Sequence, residues 1–442
     1  MTMTTIDRRS LLQGGTALAA ASMLSGEALL DYARAWAQTA PWKPEKGAKL
    51  TIMRWKRFVP AEDEAFMAMV DAFKKANGVE VNVFSESFED LQPKASVSAN
   101  TGQGPDVVWG LHSLPQLFPD KVIEMNDVAD YLGKKYGGWT SAAEITCKQG
   151  NKWLGIPVAT IGGYINYRKS SIEKAGFKEI PQDLPGFLEL MKALKKNNTP
   201  GGFALGHASG DGNAWTHWLL WTHNAWLVDK DDKVIINSPE TVKALEYVKQ
   251  LSETFIPGCG SWNDSSNNKA FLAGEVHCTS NGISIYVAAL ADPTKKEIAE
   301  DVQHAYYPVG PIGKPTELQL HVPILAFKYS KAPQAAKAFI AFMLEKPNFE
   351  PWLTGSKGYL THCLNAYDNA PVWTSDPKNK VFSQSSKRTL PASGIGKPGE
   401  RAAAAIADFL VVDMFANVAL GREDIKGAIA ICERQAKRLY RA

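Results

Sequence analysis

Histidine, cysteine and carboxylate side chains are the residues of this sequence best able to hold a metal or move a proton, and their spacing argues against both. His217 and His223 stand six apart, so they do not share a helical face as metal ligands four apart do; both read as satisfied structural histidines. The five cysteines, at 147, 259, 278, 363 and 432, contain no Cys-x-x-Cys pair, which leaves neither a zinc nor a dithiol motif, and an odd count leaves at least one thiol unpaired unless chains cross-link. Asp229 to Asp232 gathers three carboxylates beside two lysines, the composition of a solvated turn rather than a calcium loop. Gly394-Ile-Gly-Lys-Pro-Gly399 spells G-x-G-x-x-G before a helix, but Pro391 and Ser393 mark loop where a dinucleotide fingerprint needs a strand. No Walker loop, G-x-S-x-G elbow, H-E-x-x-H or EF-hand string occurs. No carboxylate pair stands out as the acid and base of a glycoside hydrolase. The expectation is a protein with no catalytic residue, metal or cofactor.

What the sequence offers instead is aromatic. In Ala214–Trp226, Trp215, Trp218 and Trp226 fall on one helical face and Trp221 lies beside it. Such a stripe is usually core, whereas an exposed indole suits a sugar, because its flat face packs on C–H groups at little entropic cost. Trp55, Trp109 and Trp262 carry the same two readings, core aromatic or binding surface.

These side chains need a scaffold, and its first part alternates. Lys49 to Trp55 reads as a strand, and Ala61 to Asn77 as a helix with Glu62, Asp63 and Glu64 in its first turn and Gly78 as its stop. Strand Val79 to Phe84, helix Glu89 to Asn100 and strand Asp106 to Trp109 follow, a β-α-β-α-β series that argues for a parallel sheet covered by helices. Ligands of open α/β sheets collect beyond the carboxyl ends of the strands. That rule selects Trp55 to Arg57, Ser85 to Ser87 around Glu86, and Trp109 to His112. Next, Asn151 to Phe177 joins a Pro-bearing run, Trp153 to Ala159, which can form only a short or edge strand, to an aromatic alternating run, Gly163 to Tyr167. Thr160, Ile161 and Gly162 between them leave room for the backbone to bend. The pair reads either as a plain hairpin in one core or as a hinge between lobes.

With 442 residues, 45% hydrophobic and 10% aromatic, the chain has the material for two or three globular domains. Forty-nine basic against 46 acidic residues, a net charge of +3, is too balanced to imply nucleic acid or an anionic membrane as partner; a small neutral ligand fits better. Arg8-Arg9 precede a weakly apolar run, Gly14 to Leu24, which looks like a twin-arginine (Tat) signal. Ala35-Trp36-Ala37 places small residues where signal peptidase reads, so residues 1–37 are expected to leave with the signal and 38–48 to be a linker. The run is too short to span about 30 Å of hydrocarbon, and no other segment approaches twenty apolar residues. With no lipobox-type cysteine near the signal, a freely diffusing protein is expected.

The Pro-containing strand, the small residues, Tyr167-Arg-Lys169 and then Ile172-Glu-Lys-Ala-Gly-Phe177 resemble the first domain crossover of family 1 extracellular solute-binding proteins of ABC importers. Gly104-Pro-Asp-Val-Val-Trp109, Ala270-Phe-Leu-Ala-Gly-Glu275 with Asn281-Gly282, Gly358-Tyr-Leu360 and the closing helix from Leu420 to Tyr440 also resemble that family, in order, over nearly all of the mature chain. Two places depart from it: Pro185-Gly186 replaces the usual Trp-Glu-Glu helix start, and Leu320-His-Val-Pro323 stands where a Gly-Gly-Trp type sequence is common. The resemblance implies a two-lobe α/β fold of the periplasmic-binding-protein type (type II-like) with the ligand cleft between the lobes and three interlobe crossings, near Thr160, Glu300 and Leu344 to Pro351. One lobe would hold 49–159 and 301–346, the other 160–300 and 347–442. It implies capture of a sugar, oligosaccharide or polyol, without catalysis, by a periplasmic monomer that serves an ABC permease and its ATPase. The expected ligand-binding residues are Trp55, Arg57, Glu86, Trp109, His112, Thr160, Trp218, Trp221, Trp262, Asn281, His321 and Tyr359. A secreted carbohydrate-active enzyme, or the same fold holding a quaternary amine in an aromatic cage, stand as alternatives.

Overall fold

A computed structural model describes residues 26–441; Arg8-Arg9 and the apolar run after them lie outside the described residues. The strands of its two main sheets are, in chain order, β1 (Lys49–Trp55), β2 (Glu80–Glu86), β3 (Val107–Trp109), β4 (Ile156–Ile161), β5 (Tyr164–Arg168), β6 (Cys278–Asn281), β7 (Val302–Ala305), β8 (Leu320–Ala326) and β9 (Thr361–His362). Six form one sheet in the order β9-β4-β8-β3-β1-β2, and three form a smaller one, β6-β5-β7. The helices that matter below are α1 (Gly26–Thr39), α2 (Pro60–Asn77), α3 (Leu91–Thr101), α4 (Asp211–Thr222), α5 (Pro239–Ser252), α6 (Lys346–Gly355), α7 (Glu400–Ala407), α8 (Leu410–Ala419) and α9 (Ile425–Leu439).

The alternating start of the chain builds the parallel part of the large sheet, β1 pairing in parallel with both β2 and β3. Helix α2 turns Phe66, Val70 and Phe73 into the core, and Gly78, at φ 64°, stops it by donating its N–H to the Lys74 carbonyl. Strand β4 is not an edge strand, because β8 and β9 flank it. Pro157 survives there because it faces Pro323 at a shift in register, so two residues without N–H groups meet where the ladder is already interrupted.

Between Ile161 in the large sheet and Tyr164 in the small one only Gly162 and Gly163 intervene, so this stretch is a crossing between two sheets and not a hairpin. A Cβ on Gly162 would collide with the Ser385 hydroxyl, which is why the position takes glycine. Two sequence-based crossings need correction. β7 pairs with β5, Ile165 opposite Ala305, so the second crossing lies between Ala305 and Leu320 and not near Glu300. Leu344 to Pro351 is no crossing at all. Pro347 opens α6, where its missing N–H costs nothing, α6 packs on α2, and β9 then joins the large sheet. The chain returns to the small-sheet side between Arg388 and Glu400, after which α8 packs on α4 and α5.

The stretch expected to leave with the signal reaches into the described residues. Residues 26–39 are a helix that packs on α2, with Leu29, Ala33 and Trp36 buried and the Trp36 ring 5.2 Å from that of Phe342. Residues 38–48 do more than link, since Trp42 is buried and donates to Asp127 Oδ2 at 2.7 Å. Residues 400–419, contrary to expectation, are long and apolar enough to cross a membrane by length and composition, but Val411, Val412, Met414 and Phe415 are buried in this fold. All five cysteines are buried and unpaired.

Candidate ligand-binding cleft

The two sheets meet over a cleft whose floor is Gly162-Gly163. From the large-sheet side come Phe58, just past β1, Phe88, just past β2, Ile161 and Leu320 at adjoining ends of β4 and β8, and Tyr359. The opposite wall is polar: Asp211 at the start of α4, Asp264 from a loop, Asn281 at the end of β6, and Ser284. An aromatic wall thus faces a wall of hydrogen-bonding groups.

Asp264 Oδ1 accepts from the Gly210 and Asp211 backbone N–H groups at 2.9 and 2.8 Å, at the positive end of α4, while its Oδ2 is buried without a partner. Asp211 Oδ2 accepts from Asn267 Nδ2 at 2.8 Å, and Asn267 is itself fixed by donating to the Ser280 carbonyl at 2.9 Å. Burial pushes both carboxyls up, Asp264 to about 6 and Asp211, which also feels Asp264, well above the usual range. The Asn281 side chain is tied to Asn268 and accepts from the Gly282 N–H at 2.6 Å. Phe58 and Tyr359 have ring centroids 6.1 Å apart. Among the described residues no cluster of three or more His, Cys, Asp or Glu side chains is placed to hold a metal ion.

Residues 68–381 match the family described as bacterial extracellular solute-binding protein. The chain belongs to this family. Similar to this solute-binding protein over 89% of its length and 93% of the other's, at 23% identity, is the putative ABC transporter periplasmic-binding protein YcjN of Escherichia coli K12. Among solved structures, a sugar transporter from Arthrobacter chlorophenolicus A6 with bound laminaribiose aligns with a TM-score of 0.76 at 18% identity, over 89% of this chain and 99% of that one. An ABC transporter solute-binding protein from Agrobacterium radiobacter K84 in complex with ribitol gives 0.74 at 17%, over 89% and 99%.

Of the residues selected from sequence, the structure brings Asn281 and Tyr359 to this protein's cleft. Tyr359, expected in the second lobe, lies on the large-sheet side against Phe58. His112 lines a neighbouring cavity and donates Nε2–H to the Ser209 carbonyl at 2.7 Å, a bond between the two sides; burial holds its pKa down to about 4. The tryptophan selections are corrected. Trp55 and Trp109 are core, 6.1 Å apart edge to face, and Trp218 is stacked on Tyr307 at 4.6 Å with its N–H given to the Pro308 carbonyl. Trp221 is buried against Trp226, and Trp262 is half-buried against Gly202 rather than in the cleft. Arg57 is sealed in, stacked over Trp55 at 3.7 Å and paired with Glu62 at 2.9 Å. Glu86 forms a surface pair with Lys94. Thr160 and His321 bond each other at 3.1 Å; each is next to a strand residue that lines the cleft, Ile161 or Leu320, so strand alternation turns both to the other face. Phe58, Phe88, Asp211 and Asp264 were missed. The carboxyl-end rule pointed to the neighbourhood of the two phenylalanines, but Trp55 is still core and Glu86 pairs at the surface, and the cleft begins two or three residues later; the rule says nothing of Asp211 or Asp264, which do not follow strands of the large sheet.

Proposed function

We propose that this solute-binding protein captures a sugar or polyol between its lobes and delivers it to an ABC permease and ATPase, working as a periplasmic monomer exported by the Tat route. The observation that carries the reading is the two-sided cleft, with Phe58, Phe88 and Tyr359 facing Asp211, Asp264 and Asn281. Aromatic faces take the C–H surface of a sugar while carboxylates and amides accept and donate to its hydroxyls. The solutes in the similar structures, laminaribiose and ribitol, support the class.

The cavity between the walls, about 30 Å³, has room for a water or two but not for a sugar ring, so the lobes must part to admit solute and close on it. The three crossings are built to move together. Gln319 bonds both the N–H and the carbonyl of Gly163, at 2.5 and 3.2 Å, and its own N–H goes to Thr389 Oγ1 at 3.0 Å. A state closed around solute, distinct in shape from one without it, gives a permease something to recognise. Hydrolysis is disfavoured by placement, because Asp211 and Asp264 share one wall, whereas a glycosidase needs carboxyl groups flanking the scissile bond.

Titration calorimetry against a panel of mono- and disaccharides and polyols tests the reading. Saturable binding of one class at micromolar or tighter affinity, with no new reducing ends released from glycans, is expected. Release of reducing ends, or no binding across the panel, would overturn it.

A further inference from the structure

The charge of the cleft narrows its solute. No lysine or arginine lines it, while Asp211 and Asp264 do, and Glu89 stands near enough to Asp264 to act on it electrostatically. Behind the aromatic wall Arg54 and Arg57 both pair with Glu62, Arg54 also reaching Asp63, and neither lines the cleft, although Arg57 keeps Nη1 and Nη2 buried without hydrogen-bond partners. Asp264 is only 7% exposed, is fixed by two backbone N–H groups on Oδ1, and leaves Oδ2 buried and unpartnered at the cleft. A buried oxygen of this kind asks for a donor, and a carboxylate without a countercharge asks for a cation. The opposite wall, Phe58, Phe88 and Tyr359, presents ring faces that also favour a cation.

Resting on the sugar or polyol reading above, we propose that the solute carries a protonated amine that docks on Asp264 Oδ2, with its hydroxyls bonded along the same wall. Amino sugars and amino polyols are the class that joins these features. Anionic sugars are excluded by the same carboxylates. Near pH 6, where Asp264 is part-protonated, an ammonium that docks on Oδ2 takes that proton's place and so releases it. The groups facing the pair are Glu89 on Asp264, Tyr307 on Asp211 and, from the opposite side, Tyr359, which in turn feels Arg57. With Asp264 held near 6, affinity for an amine should fall as pH drops from 7 through 5, while affinity for a neutral sugar should not.

The test compares three matched sets by calorimetry at pH 7: glucosamine, N-acetylglucosamine and glucose; galactosamine, N-acetylgalactosamine and galactose; 1-amino-1-deoxysorbitol, its N-acetyl form and sorbitol. In at least one set the free amine should bind tenfold or more tighter than both neutral members, and near pH 6 its binding should release a fraction of a proton, read from two buffers of different ionisation enthalpy. Asp264→Asn should bring the amine and its hydroxyl parent to equal affinity, whatever it does to the parent's own binding. If a neutral member binds as tightly as its amine, or the preference survives in Asp264→Asn, the inference is wrong and the sugar reading stands. If no member of any set binds and the wider sugar panel is also silent, the sugar reading falls and the inference with it. The wild-type comparison decides the matter even if the variant folds poorly.

Discussion

Tyr359 and Phe58 are partners across 6.1 Å at the rim of the cleft, and their rings are the surface a sugar would rest on. Phe58→Ala, at a half-buried position, should weaken solute binding by about 1 kcal/mol or more with a near-normal melt, and Tyr359→Ala, at a buried one, should weaken binding by a similar amount and lower the melt as well, as read by calorimetry beside thermal unfolding. Trp109→Ala should do the reverse, since that ring is wholly buried against Trp55, Phe66 and Trp352; a loss of about 3–5 kcal/mol in stability is expected. Asp264 gives a pH signature. Its folded carboxyl, held near 6 by burial, keeps a proton that the unfolded chain releases near 4, so the site costs stability as pH rises from about 4 to 6. Asp264→Asn should therefore melt higher than wild type at pH 7.5, by on the order of 1 kcal/mol or more, and the gap should close toward pH 4. Equal melting at both pH values would show that the carboxyl is not strained by its burial.

Helix α1 belongs to the folded body. The buried Glu345 carboxylate accepts from Tyr32, Trp36, Tyr131, Lys135 and Tyr136, and two of these donors sit on α1. Loss of α1 would leave Glu345 short of donors and uncover the ring of Phe342, on which Tyr32 and Trp36 pack. A variant lacking residues 26–37 should melt at least several degrees below the chain that starts at Gly26, by scanning calorimetry. Intact mass of the exported protein should show α1 retained. The sequence invited the opposite reading because Ala35-Trp36-Ala37 has small residues at the spacing a peptidase uses, a local pattern that says nothing of Trp36 being buried. Boundaries elsewhere were more legible: Gly78 ends the helix it was expected to end.

For the whole molecule, saturation with a cognate solute should reduce the radius of gyration in small-angle scattering relative to the solute-free protein, because opening turns on Gly162-Gly163 and the two segments tied to it through Gln319 and Thr389. An unchanged radius would argue against hinge closure. Changing Arg8 and Arg9 to Lys should hold the precursor in the cytoplasm, with normal export counting against the twin-arginine route. By itself the sequence determined the α/β class, the parallel opening of the large sheet and the bend after β4, because hydrophobic period, caps and glycines act over a few residues. It also carried the solute-binding family, through the resemblance of Tyr167 to Phe177 and of the motifs that follow in order. Only the tertiary structure decided where the second and third crossings fall, since β7 and β9 are four and two residues long and take their sheet from distant partners. It likewise decided which aromatics meet the solute. Trp109 and Phe88 both lie at or just past strand ends in sequence, and only the packing of Trp55, Phe66 and Trp352 around Trp109 leaves one as core and the other as cleft wall.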